Sequence, residues 1–117
     1  MDNCIFCKIV KGESPCKKVY ESDNFFGFLD KYGLVDGHSM VIPKKHYKNF
    51  LDMPASLGNE LIDALKEVGV NLIKEGKAEA FNILVNNGEI AGQVVPHLHF
   101  HVIPRKRDDG LKGFARN

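Results

Sequence analysis

Between Pro96 and Pro104 the chain alternates histidine with apolar residues: His97-Leu98-His99-Phe100-His101-Val102. A period of two belongs to an extended strand, where alternate side chains share a face. His97, His99 and His101 then line one face, while Leu98, Phe100 and Val102 line the other and turn to a core. Histidines two apart on a strand are roughly 6.5 Å apart at Cα, so one tetrahedral group can be reached by more than one ring. Two chemistries fit such a face. It can chelate a metal ion, or it can present a neutral imidazole, with an ordinary pKa near 6.5, as a nucleophile.

Composition narrows the setting. A chain of 117 residues with 44% hydrophobic and 26% charged residues is one globular domain, 1–117, with a polar tail from 105. The net charge of +1 gives no electrostatic reason to expect nucleic acid. The basic runs Lys44-Lys45-His46 and Arg105-Lys106-Arg107 are short enough to be solvated faces. No run approaches a membrane span, and Met1-Asp2-Asn3-Cys4 lacks the cationic start of a secretory leader. Three cysteines, an odd number, argue against a secreted disulfide framework and for a reducing, cytosolic setting.

In chain order, Cys4 to Lys11 read as a short helix ended by Gly12. Lys17 to Glu21 and Phe25 to Leu29 read as strands around the turn Ser22-Asp23-Asn24, and His38 to Pro43 as a third. Asp52-Met53-Pro54 predicts the start of a long helix, with Asp52 as cap. Its core face is Leu57, Leu61, Leu65, Val68 and Leu72, and it runs to about Gly76. Ala80 to Asn86 predicts a fourth strand with Phe81, Ile83 and Val85 on one face. The loop Asn87 to Gln93 then feeds the histidine strand. The tail after Pro104 is expected to be poorly ordered. Strands, one long helix and strands again give an α+β fold with an antiparallel sheet.

The loop fits an anion. Gly88 and Gly92 let backbone N–H groups approach it, and Gln93 adds a side-chain donor. Beside that loop a histidine nucleophile such as His99 needs its tautomer fixed by a backbone carbonyl. A second histidine can then manage the proton of a leaving group or phosphoryl oxygen.

The segment His97 to Ile103 resembles the signature of the histidine-triad (HIT) nucleotide-binding family. Further stretches carry the likeness: Cys4-Ile5-Phe6-Cys7-Lys8-Ile9, Phe28-Leu29-Asp30, Gly37 to His46, Asn86-Asn87-Gly88 and Gly92-Gln93. Within the family the chain is most similar to the small single-domain branch that includes nucleoside phosphoramidases. The resemblance implies a five-stranded antiparallel sheet, a homodimer, and a purine nucleotide as substrate, with no catalytic cofactor. It implies that His99 attacks the α-phosphorus, that His101 contacts the phosphate, and that His38 completes the cluster. It also implies that Asp30 receives the ribose hydroxyls, and that Asn86, Gly92, Gln93 and the Val94 backbone hold phosphate and sugar. Lys31 and Val94 depart from the apolar and hydroxyl residues of many relatives at those positions. Two further readings share these residues: a dinucleoside-polyphosphate hydrolase, and a nucleotide-binding regulatory module with vestigial turnover.

Cys4-x-x-Cys7 stands apart from this chemistry. A redox pair is expected after a strand, and only three residues precede Cys4. A zinc half-site needs two more ligands, and the two cysteines alone read equally as small buried residues of a helix. The family resemblance implies a structural zinc site at Cys4, Cys7, His46 and His97. His99, His101 and His38 then remain, either for nucleotide chemistry or for a second, catalytic ion. Cys16 reads as a free thiol.

Overall fold

The computed structural model describes residues 3–111. Five strands form one sheet: β1 (Lys18–Glu21), β2 (Phe25–Leu29), β3 (Ser39–Pro43), β4 (Ala80–Val85) and β5 (Phe100–Arg105). Their order across the sheet is β1-β2-β3-β5-β4, and every pairing is antiparallel. Helix α1 (Ile5–Val10) lies on one face and helix α2 (Gly58–Lys74) on the other. Among the described residues no helix is long and apolar enough to cross a membrane.

Strand alternation decides what each face carries. Phe25, Val41, Leu98, Phe100 and Val102 pack with Leu61, Leu65, Val68 and Leu72 of α2. Phe26, Phe28, Met40 and Ile42 pack with Phe6 and Ile9 of α1. The central strands are thus buried on both sides, and β3 is buried at every position. Each fully buried Leu, Ile or Phe in such a core contributes about 1.5–3 kcal/mol. The odd positions of the histidine segment are left on the α1 face.

Both helices close on a glycine in the left-handed region. Gly12 (φ 77°) follows α1 and Gly76 (φ 75°) follows α2. In each case the next N–H reaches back to the third-last carbonyl, Glu13 to Lys8 at 2.8 Å and Lys77 to Leu72 at 2.9 Å. Gly69 serves a different need. A Cβ there would lie 2.5 Å from the Phe81 ring, so the absent side chain is what lets α2 sit against β4.

Four sequence expectations need correction. The long helix starts at Gly58, after two single 3-10 turns (Phe50–Asp52 and Ala55–Leu57). Asn49, not Asp52, is the capping residue of the first turn, and Asp52 bonds back to the Asn49 N–H as the other half of the box. Glu60 anchors the true helix start, taking the Ser22 hydroxyl (2.5 Å), the Asn24 N–H (2.7 Å) and the Asn24 amide (2.8 Å).

The histidine strand begins at Phe100, so His97, Leu98 and His99 lie before the ladder. Ile83 is half exposed because β4 is the sheet edge, although Phe81 and Val85 pack inward as expected. Finally, the start of the tail is ordered. Arg105 ends β5 and pairs with Asp109 at 2.7 Å, and Asp109 also takes the N–H groups of Lys106 and Leu111. Residues 112–117 lie outside the described residues.

Candidate active site and metal centre

Three histidines reach the α1 face from 97–101, and two more join them from β3 and its flanks. His97 and His99 are buried, and Phe6 of α1 meets both rings edge-on, with centroids 5.8 and 5.2 Å away. His101 lies in β5, its ring 5.0 Å from that of His99 and 5.1 Å from that of His38. The placement expected from alternation therefore holds, although the strand begins only at Phe100.

Hydrogen bonds assign the proton on each ring. His99 Nδ1 is 2.8 Å from the His97 carbonyl, so Nδ1 carries the hydrogen and Nε2 keeps a lone pair. The Leu34 N–H donates to His38 Nδ1 at 3.0 Å. His38 must then carry its proton on Nε2, which donates to His101 Nδ1 at 3.0 Å. His101 consequently keeps its own proton on Nε2. Burial pushes His101 down to about 4, the neighbouring His99 and His38 add to the effect, and Asp30 opposes it. Burial also lowers His38, again opposed by Asp30, whose Oδ2 is 3.6 Å from His38 Nε2. At neutral pH these two rings are uncharged hydrogen-bond donors. The other Asp30 oxygen accepts the Tyr32 N–H at 3.0 Å.

The loop before the segment is tighter than expected. Gly88 and Gly92 both adopt positive φ (94° and 99°), and Asn86 lies beside Gly92. Gln93 does not offer its amide to a ligand. It is buried, with Nε2 donating to the carbonyls of Lys48 (2.6 Å) and Val95 (3.0 Å) and Oε1 accepting the Gly88 N–H (2.8 Å). The expectation of a side-chain donor to an anion is corrected to that of a staple shaping the loop. Val94 projects into solvent.

At the other end, Cys4, Cys7, His46 and His97 bring their donor atoms within 4.8 Å of one another. The His97 Nε2–H donates to the Pro43 carbonyl at 2.9 Å, leaving Nδ1 as a lone pair 3.3 Å from Cys4 Sγ and 3.5 Å from Cys7 Sγ. His46 Nδ1 is 3.4 Å from Cys7 Sγ. A tetrahedral ion with bonds of about 2.3 Å to sulfur and 2.0 Å to nitrogen has S···N edges of roughly 3.5 Å. The donor set fits such an ion, and it is closed, with no position left for substrate. Burial, with Cys4 beside it, pushes the Cys7 thiol up to about 11. A bound cation would reverse that by holding both sulfurs as thiolates. Burial likewise pushes His97 down to about 4 and keeps its lone pair available.

Asp30, His38 and His101 form a second group of possible ligands, also within 4.8 Å. It does not fit an ion. The Leu34 N–H occupies the lone pair at His38 Nδ1, so a metal on Nε2 would require an imidazolate. In this arrangement His38 and His101 are set as hydrogen-bond donors rather than as metal ligands.

The backbone partners that set these tautomers (the Leu34 N–H and the carbonyls of Pro43 and His97) carried no sequence signal. Phe6 did lie between the two cysteines, but as an ordinary core residue.

A five-stranded antiparallel α+β domain with imidazoles held in this way defines a class, and comparison with known proteins agrees. The family model described as HIT domain matches residues 11–108, and the chain belongs to that family. It is 44% identical over 110 residues to "Adenylylsulfatase HINT3" of Arabidopsis thaliana, covering 94% of this chain and 56% of that protein. It is 42% identical over 106 residues to "Adenosine 5'-monophosphoramidase HNT1" of Saccharomyces cerevisiae, covering 91% of this chain and 64% of that one. The chain thus spans less than two thirds of the length of either enzyme. Among solved structures, a Zn-bound histidine triad family protein from Mycobacterium smegmatis superposes with a TM-score of 0.89 at 35% identity, over 99% of this chain and 83% of that one.

Proposed function

We propose that this protein is a nucleotide hydrolase that displaces a substituent, in the first instance an amine, from the α-phosphate of a purine nucleoside monophosphate. The observation that carries the reading is the 2.8 Å bond from His99 Nδ1 to the His97 carbonyl, which aims a fixed Nε2 lone pair. In the first step the amine nitrogen takes a proton from solvent, and His99 Nε2 bonds to phosphorus as the phosphorus–amine bond breaks and the neutral amine leaves. The His101 Nε2–H, held in that tautomer by His38, donates to a phosphoryl oxygen as charge builds there. Water then adds to phosphorus as the phosphorus–His99 Nε2 bond breaks, its surplus proton returns to solvent, His99 regains its lone pair, and the nucleotide departs. Asp30 lies beside this pair of rings and has two carboxylate oxygens to offer a ribose diol. Asn86, Gly92 and the Val94 N–H line the approach to the phosphate. The same displacement serves a sulfate leaving group, in keeping with the plant relative's name.

Zinc at Cys4, Cys7, His46 and His97 completes the reading as a structural cross-link of α1 to the sheet. The functional unit is a homodimer, joined where edge strand β4 exposes Ile83 and α2 exposes Ile62, Val70 and Ile73. A reducing, cytosolic setting suits three free cysteines. Light scattering at micromolar concentration tests the dimer, and a monomer would remove it.

The decisive experiment is mass spectrometry of protein quenched during turnover of an AMP–amine phosphoramidate. An AMP adduct on His99, absent in His99→Ala, is expected. Equal turnover by both proteins, or tight AMP binding with no turnover, would defeat the enzyme reading and leave a binding module.

A further inference from the structure

The carbonyl that fixes His99 belongs to a stretch the sheet does not hold. Pairing of β5 with β3 and β4 begins at Phe100, opposite Val41 and Val85. The peptide between His97 and Leu98 therefore lies outside the ladder, and its carbonyl oxygen is the one bonded to His99 Nδ1. Two handles hold that peptide. Its N–H, on Leu98, donates to the Tyr47 carbonyl at 2.7 Å. The His97 ring on its other side is fully buried against Pro43, Cys4 and Cys7. Tyr47 follows His46, and His46 and His97 are the two nitrogen members of the Cys/His cluster. Both handles thus start from ligand residues. The cluster draws segment 46–47 and segment 97–98 together, and the peptide they clamp carries the carbonyl that sets the His99 tautomer.

We infer that the Cys4–Cys7–His46–His97 centre, loaded with its metal, is a positioning device for the nucleophile as well as a structural cross-link, and that His97 is the residue through which it acts. The inference rests on the reading of His99 as nucleophile, but its first readout needs no nucleotide. A peptide held by a loaded cluster gives His99 one tautomer, with the proton on Nδ1. Released from the cluster, the ring samples both tautomers, and the one with Nε2 protonated cannot attack.

Two substitutions isolate metal ligation. Cys4 is the N-cap of α1, and its side chain accepts the Cys7 N–H. Serine and aspartate are both good caps, but only aspartate is a competent zinc ligand. Long-range proton–nitrogen NMR, at a pH where imidazole is neutral, should show a single His99 tautomer in the zinc-loaded protein and a mixture in Cys4→Ser. The mixture should revert to one tautomer in zinc-loaded Cys4→Asp. Elemental analysis of each sample confirms its metal content. In the same set the rate of His99 nucleotidylation should fall about 10- to 100-fold in Cys4→Ser, return in Cys4→Asp, and leave AMP affinity within about twofold.

A single tautomer in metal-free Cys4→Ser, or in wild-type protein purified without metal, would overturn the inference. If Cys4→Ser does not fold, wild-type protein stripped with a chelator and reloaded with zinc or cadmium is read in the same way. Complete unfolding on stripping would also overturn it, since the metal would then hold the fold and not one peptide. A metal-dependent tautomer in a protein that never forms the adduct would defeat the proposed function and leave this coupling intact.

Discussion

The two ends of the histidine segment carry similar side chains with opposite hydrogen-bond logic. At the His97 end a carbonyl takes the ring proton and leaves a lone pair facing two sulfurs. At the His101 end a backbone N–H occupies the Nδ1 lone pair of His38, whose Nε2–H in turn donates to His101 Nδ1. Converging lone pairs suit a cation, whereas a chain of donors suits an anion such as a phosphoryl oxygen. Histidine content alone does not separate the two clusters, because each gathers two imidazoles within 4.8 Å of its other members, two thiols in one and a carboxylate in the other. What separates them is which backbone group each ring touches first.

That contrast can be broken by experiment, most severely at the His101 end. Replacing His38 with phenylalanine removes the donor that sets the His101 tautomer, and the rate of nucleotide release should fall by about 10³-fold with metal content unchanged. A loss of metal in this variant would mean that the two ends are one site.

The next largest effect belongs to the other cluster. Cys7→Ala should strip the metal and lower the melting temperature by roughly 15 °C, equivalent to about 2–3 kcal/mol in a domain of this size. Metal retained at wild-type level in Cys7→Ala would refute the ligand assignment.

Acid sharpens the comparison further. His38 and His101 are held below the ordinary histidine value, His101 at about 4, so the unfolded chain binds protons that the folded one refuses. Their contribution to stability is intact above about pH 6.5 and is lost as pH falls toward 4. His101→Asn should make the melting temperature less sensitive over that window by roughly 5 °C, about 1 kcal/mol. An unchanged slope would place the acid sensitivity elsewhere. The smallest effect is expected at the loop, where Val94→Ser adds a hydroxyl donor at an exposed position. AMP affinity should rise by up to about fivefold, the worth of one hydrogen bond of about 1 kcal/mol. No gain would show that the side chain at 94 points away from the phosphate.

The sequence made some of this legible and hid the rest for a physical reason. Side-chain periodicity exposed the strands, the two faces of the 97–102 segment and the Leu stripe of α2, because burial depends on which residues are apolar. Chemistry-bearing residues such as Cys4, Cys7, His46 and His97 stood out by type. Backbone groups do not, since every residue offers the same N–H and C=O. The Leu34 N–H that forbids a metal at His38 left no mark in the sequence, nor did the Pro43 carbonyl that prepares His97 for one. The same blindness moved the start of α2 from Asp52 to Gly58, where Asn49 and Asp52 close a separate turn. It also misread Gln93, whose amide is consumed by the carbonyls of Lys48 and Val95.

The Cys/His cluster also dictates an order of assembly during synthesis. Its members come from positions 4, 7, 46 and 97, so the thiols leave the ribosome before either histidine and wait for the chain up to His97 before their last partner appears. Throughout that interval both sulfurs are open to oxidants and to stray metals. Cells that make this protein under oxidative stress should therefore damage the nascent chain more readily than the finished one.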